Sequence, residues 1–553
     1  MCHIVFYDQR WTAYCKNLKN KGETDMKKKL SLILAAMMIA GAMYGCGSGS
    51  ESDVPANDDS TATDISDTVG AAAEEDDKTA KEEPEVKEEP KNERELLAKE
   101  DEKISYVMIY NPSLYNETAS LNPELNTGSF ANQIDPSMEK ADGVVEIPEF
   151  IPKSQAEINA GVDIDISSLE LNRAGAMIAP YSVGDMRSFY HFSPEGERIE
   201  SDFMCLYAGE KCNIWVNIED EYADINYIPM LGKEFDEKVY DSVTGMFGSP
   251  RFEGNGAKIN VLVAEDVPST AGYFCIYDLF ATGEASDAEV LKYGLNLDHP
   301  IININSITVN EMFGDIALST LAHEFQHLIC FTSTLESNKC EMMETWFNEA
   351  MSGYIEEELY PGIQDDRYDE YMGSNIIRYG QSLYNFATDN SEESFDIGTY
   401  GSVFLYSEFL ANLAGEDIYT NIHKYWRTSF NSGLDVATAI ANSVPKDVYN
   451  EIADSVKYGS GIRFNDKDDE WMSKLTLNFY IALLAEEDPE EFAKIITENL
   501  LYNDINAADI EGGGRVIIPV KNGKYEIPEN ADKGLVYIGI NKDLEVVTDI
   551  YSY

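Results

Sequence analysis

Two histidines four residues apart, with a glutamate after the first, make His323-Glu324-Phe325-Gln326-His327 the segment best equipped for chemistry. On a helix, positions i and i+4 share a face roughly 6 Å apart, so both imidazoles can turn to one cation. Glu324 is rotated about 100° round the axis, beside such an ion and not on it. That suits a general base for a water molecule bound there. The flanking run "IALSTLAHEFQHLICF" is apolar on nearly every side, so the histidines must be buried or face a cleft. Buried imidazoles need partners, and a metal satisfies both at once.

A catalytic zinc takes a third protein ligand. One continuation of this motif places a glycine three residues and a histidine six residues beyond the second histidine. Cys330 and Ser333 stand at those positions, which excludes it. The alternative is a glutamate on a following helix. Glu349 comes 22 residues after His327, enough for a turn and a return helix. Its neighbours Trp346, Phe347 and Met351 would make an unpaired carboxylate costly. Glu341, Glu344, Glu356, Glu357 and Glu358 compete for the role, and read as a solvated helix face.

The stretch "TWFNEAMSGY" resembles the Asn-Glu-Ala or Asn-Glu-Gly element of the gluzincin metallopeptidases, the group of thermolysin and the zinc aminopeptidases. The resemblance implies one catalytic Zn2+ held by His323, His327 and Glu349, with Glu324 as the base. It implies peptide-bond hydrolysis by a zinc-activated water. Across roughly residues 180–425 the order of "GKEFDEKVYDSVTGMFGSP", "KINVLVAEDV", "AGYFCIYDLF", the HEFQH run, "TWFNEAMSGY" and "YGSVFLYSEFLANLAGEDIY" is similar to that of hyicolysin-type metallopeptidases. Thermolysin-like enzymes carry an aspartate soon after the ligand glutamate to orient a zinc histidine. Here Gly353 occupies that place, so the partners of the zinc histidines are unassigned. Such enzymes also use a Tyr or His to steady the oxyanion, for which Tyr400 in "GTYGSVF" is preferred over His423, read as a helix-surface residue. The resemblance further suggests "PIININS" as an edge strand that binds substrate backbone. His191 and His299 receive no role.

These residues need a scaffold. Apolar spacing predicts helices over 315–331, 342–359 and 398–414 and through "EFAKIITENLL", with "KINVLVAEDV", "AGYFCIYDLF" and "HPIININSITV" as strands. Short β-branched and aromatic runs fill 104–228, read as a β-rich N-terminal domain. The metallopeptidase domain is expected over 229–503 and a small β segment over 504–553, with Asn522-Gly523 as a hairpin turn. The fold class is therefore α+β: a thermolysin-like catalytic domain of mixed sheet plus helices, between β-rich modules.

The N-terminal region is not fold material. From Met26 a lysine cluster, an apolar run and small residues around Cys46 have the layout of a signal peptide over 26–45. This resembles a bacterial lipoprotein signal, which implies lipidation of Cys46. Residues 1–25 read as a mis-called start, since Lys21 to Glu23 can be encoded by a purine-rich, ribosome-binding type of stretch. Residues 46–103 are rich in Glu, Asp, Lys, Pro and Ser and read as a disordered acidic tether. The formal net charge of −59 repels phosphate and anionic lipid heads, which excludes nucleic acid and leaves the lipid as the only membrane contact. The location expected is outside the cytoplasm, anchored to the cell envelope. Cys205 and Cys212 flank "LYAGEK", so a cross-strand bridge is geometrically open.

The leading expectation is an envelope-anchored zinc metalloendopeptidase acting on protein or peptide. An exopeptidase would need a site for the substrate's free amine, and no Gly-x-Met-Glu-Asn run is present. The alternative from another class is a non-catalytic peptide- or partner-binding lipoprotein on a peptidase scaffold. The intact Glu324 counts against it.

Overall fold

The computed structural model describes residues 94–99, 102–114, 119–120, 181–250, 258–266, 271–275, 300–337, 343–371, 382–385, 397–429, 435–459, 462–500, 509–520, 523–528, 531 and 534–552. The leader, the signal segment, Cys46, most of the acidic tether, His299, Glu341 and Asn522 lie outside these residues. No helix among those described is long and apolar enough to cross a membrane.

The strands expected to form one N-terminal β module are divided between sheets. β1 (Glu95–Leu96), β2 (Tyr106–Tyr110) and β3 (Ala119–Ser120) pair with the C-terminal end of the chain. β4 (Met186–Phe192), β5 (Arg198–Ala208) and β6 (Cys212–Asn217) instead lead into the sheet of the central region, with β7 (Ile259–Ala264), β8 (Gly272–Tyr273) and β9 (Ile301–Asn305). This six-stranded sheet has the order β4-β5-β6-β7-β9-β8. Its middle is parallel: β6 pairs with β7 and β7 with β9. Parallel strands are covered on both faces, and β7 and β9 are buried at every position.

The sheet curls. The Phe192 amide, at the end of one edge strand, donates to Tyr273 Oη on the other edge at 2.9 Å, and the two rings pack edge to face. β9 is therefore internal, between β7 and β8, and "PIININS" is not the edge expected from the sequence. Alternation along the strands also settles the cysteines. Cys205 lies in the cluster with Phe189, Phe203 and Trp215, whereas Cys212 faces the helices with Ile214 and Val216. Both are free thiols, because they lie on opposite faces of the sheet.

The helices follow in chain order. α1 (Ile228–Glu234) runs through a π turn at Phe235–Val239 into α2 (Tyr240–Phe247). The Asp236 carboxylate in that π turn accepts the Tyr207 hydroxyl and the amides of Glu210, Lys211 and Cys212, fastening the β5–β6 hairpin. α3 (Gly314–Ser337) carries the histidine motif and α4 (Thr345–Leu359) carries Glu349. α5 (Asp365–Glu370), α6 (Ile397–Ala414) and α7 (Ile418–Thr428) pack around them. α8 (Val436–Ala441), α9 (Lys446–Ser455), α10 (Lys467–Glu486) and α11 (Pro489–Leu500) complete the helical part. An apolar helix such as α3 needs covering all round, and the sheet, α2, α4 and α7 supply it.

The C-terminal strands are β10 (Asp509–Ile510), β11 (Arg515–Pro519), β12 (Tyr525–Glu526), β13 (Val536–Ile540) and β14 (Tyr551–Ser552). β2 lies between β11 and β13 in a four-stranded antiparallel sheet, while β12 pairs with β1. The expected tether thus gives way before residue 103, where Leu96 is buried and Glu95 pairs with Lys524 at 2.8 Å. This sheet is docked on α10 through Tyr110 Oη, which donates to the Ser473 carbonyl at 3.0 Å, and Arg515, which donates to the Tyr480 carbonyl at 3.1 Å.

Candidate metal centre

His323 and His327 sit one turn apart on α3, their ring centroids 4.6 Å apart and their planes nearly perpendicular. α4 returns alongside and presents Glu349. One donor atom from each of these three side chains lies within 4.8 Å of the others, and all three residues are buried. His323 Nε2 is 3.1 Å from Glu349 Oε2, and His327 Nε2 is 3.5 Å from Glu349 Oε1.

The other ring nitrogens are engaged elsewhere. His323 Nδ1 meets the Glu356 carboxylate, and His327 Nδ1 lies 3.2 Å from Ser352 Oγ, whose hydroxyl donates to Gln326 Oε1. With their Nδ1 atoms turned to Glu356 and Ser352, both rings present Nε2 to Glu349. His327 Nε2 and Glu324 Oε2 are buried polar atoms with no hydrogen-bond partner. Two imidazoles and a carboxylate, with an unsatisfied nitrogen among them, fit a divalent zinc-type ion.

Carboxylates and imidazoles interact strongly here. Burial works against a charged His323, but Glu356 and Glu349 overcome it and hold its pKa up at about 10. Burial likewise opposes ionisation of Glu349, yet His327 and His323 bring its pKa below the usual carboxylate range. Burial raises the pKa of Glu324, although both histidines pull the other way. Two histidines that could hold an ion thus stand beside a buried carboxylate of raised pKa.

Sequence reasoning passed over Ser352, Gln364 and Arg367 and misread two glutamates. Glu356 and Glu357 are not a solvated face but are 3% and 6% exposed. The turn after α4 folds back because Glu357 accepts the Gly362 amide at 2.7 Å and the Gln364 amide at 3.3 Å. The available signal was spacing: Glu349, Ser352 and Glu356 fall at i, i+3 and i+7 on one helix face. At Gly353, a Cβ would lie 3.5 Å from Phe404 Cβ, so that position faces α6.

The two oxyanion candidates separate. Tyr400, in the first turn of α6, is buried with the Arg367 guanidinium 4.8 Å over its ring. Burial and then Glu349 raise its pKa, so the hydroxyl stays protonated and feels the centre's charge. His423 is no surface residue. It is 2% exposed, packed edge to face on Phe247, and neither ring nitrogen has a hydrogen bond. Burial, reinforced by Arg427, pushes its pKa down to about 3. A histidine that titrates at about 6.5 when unfolded and about 3 when folded favours the unfolded chain as the pH falls between those values. The chain should therefore lose stability on acidification from pH 7 to 4.5. His423→Gln should reduce that loss by ~2–3 kcal/mol, read by denaturant unfolding at both pH values. An unchanged difference would mean that His423 does not titrate this way.

No protein-family model matches the chain. The chain spans 59% of the length of a matching relative, and over those 277 residues, 48% of its own length, it is 27% identical. That relative is the neutral metalloprotease ShpI of Staphylococcus hyicus, so the chain carrying this His-His-Glu group is similar over about half its length to a metalloprotease.

Proposed function

We propose that this protein is a zinc-dependent metalloendopeptidase of the hyicolysin type, exported and anchored to the cell envelope through a lipid on Cys46. The observation that carries the chemistry is the buried group of His323, His327 and Glu349 beside the unpartnered carboxylate oxygen of Glu324. The likeness to a neutral metalloprotease supports the reaction class. The anchoring rests on the sequence from Met26 to Cys46 alone.

His323, His327 and Glu349 would hold the zinc. When bound, zinc lowers the pKa of a water molecule and polarises the scissile carbonyl. Glu324 would stand beside it as the general base, taking a proton from the attacking water and returning it to the leaving amine. Its burial suits the task, since desolvation raises its pKa above the ordinary carboxylate value and makes it a stronger base. Tyr400 donates its hydroxyl hydrogen to the oxyanion. Tyr400→Phe should lower kcat by ~10²–10³-fold with KM little changed, because that bond forms only in the transition state. Equal kcat for Phe and Tyr would remove Tyr400 from the mechanism.

The deciding experiment incubates purified protein with a mixed peptide library and reads the products by mass spectrometry. Zinc content is measured for wild type and Glu324→Ala. Internal cleavage by wild type alone, with zinc in both, is the expected result. Trimming from one end only would make the enzyme an exopeptidase. Zinc without cleavage would favour a binding protein, and no zinc in wild type would overturn the site.

A further inference from the structure

The hydrogen bonds around the centre extend well beyond its three donors. α4 meets α3 along one stripe, where Glu349 faces both Nε2 atoms, Ser352 reaches His327 Nδ1 and Glu356 reaches His323 Nδ1. The two histidines are therefore held unequally, one by a neutral hydroxyl and the other by a carboxylate. Glu356 is itself supported. Gln364 Nε2 donates to its Oε2 at 3.0 Å, and Arg367 Nη1 lies 3.5 Å from its Oε1. Arg367 Nη1 also donates to Gln364 Oε1 at 2.9 Å. Gln364 arrives there because Glu357 ties down the turn from 360 to 364, and α5 then delivers Arg367.

A buried carboxylate is costly unless it is paired and hydrogen-bonded. Three donors converge on Glu356, which is more than packing a helix face requires. The lone Gly353 offers no side chain for the same purpose. We propose that Glu356 is a positioning residue. It fixes His323 as the Nδ1–H tautomer with Nε2 free for the metal, and Gln364 and Arg367 hold Glu356 in the orientation that does so. An ionised partner at Nδ1 also makes Nε2 a stronger donor, so this contact sets metal affinity as well as ring angle. Arg367 covers the Tyr400 ring with the same guanidinium, joining the residue proposed for the oxyanion to the shell of the metal. This inference rests on the reading of His323, His327 and Glu349 as a metal centre.

The test measures zinc affinity at pH 7 by competition with a chelator, on wild type, Glu356→Gln, Arg367→Gln and Arg367→Lys. Cobalt-loaded samples of each give a visible absorption spectrum, and near-UV circular dichroism of the metal-free proteins checks the fold. Glu356→Gln should bind zinc ~10–100-fold more weakly and shift the cobalt bands, with the circular dichroism of wild type. Arg367→Gln should lose less, and Arg367→Lys should recover most of that loss. If wild type binds no zinc, the metal-centre reading fails and takes this one with it. If wild type binds zinc and Glu356→Gln matches it in affinity and cobalt spectrum, the positioning role alone is overturned. Should Glu356→Gln fail to fold, the Arg367 pair decides: equal affinity in Gln and Lys variants and wild type would overturn it.

Discussion

Glu324→Gln should reduce peptide hydrolysis by ~10²–10⁴-fold while the protein keeps its zinc. The side chain is 6% exposed and lies next to His323 on α3, so a glutamine of the same shape fits without repacking. What changes is proton affinity. An amide cannot take a proton from water or return one to the departing amine. The buried Oε2 has no partner in the fold, so its removal releases no structural hydrogen bond. Most of the loss should therefore appear in kcat, with metal content and unfolding midpoint near those of wild type. Activity within threefold of wild type would show that another group moves the proton, or that the reaction is not the one proposed.

Glu349→Ala should act on the metal itself. This carboxylate faces both histidines, at 3.1 Å and 3.5 Å from their Nε2 atoms, and is 2% exposed. Without it, two imidazoles from one helix turn remain, short of the three protein donors of a catalytic zinc. Zinc affinity should fall by more than the ~10–100-fold typical of losing an outer hydrogen-bond partner, and hydrolysis should become undetectable in metal-buffered solution. The comparison with Glu356→Gln is informative because both residues stand on α4, two turns apart, and contact the same imidazole from opposite sides. Full zinc occupancy in Glu349→Ala at limiting metal would mean that another acidic group is the third ligand. Among the described residues, these three side chains are the group of donors close enough to share an ion.

The order of effects, with ligand loss above loss of its orienting partner, separates the electronic roles of the two glutamates. It also shows why counting acidic residues on a helix misleads. Glu356, Glu357 and Glu358 are adjacent in the chain, yet the first supports a histidine and the second caps a backbone turn. Glu358 is exposed, as expected of a solvated face.

The sequence alone determined the parts of the site that depend on one or two helices. Period 3.6 placed both histidines on one face of the helix at 314–337, and the length of the connection allowed Glu349 to return beside them. The expected bounds for α4 and α6 lie within about three residues of the observed ones, because amphipathic spacing is a local property, whereas α3 runs on to Ser337, well past the expected end at 331. Tertiary structure decided what depends on distant chain. Glu356 became the partner of His323 only when the turn after α4 brought Gln364 and Arg367 back to it. His423 looked like surface because its own helix carries charged neighbours, but α2 covers it through Phe247. Strand pattern gave β2 an apolar face without naming its neighbours, and these lie some 400 residues away in β11 and β13. The hydrophobic pattern fixes which face of a strand is buried, but with no tight turn joining β2 to β11 or β13 the partner is chosen only when the whole core closes.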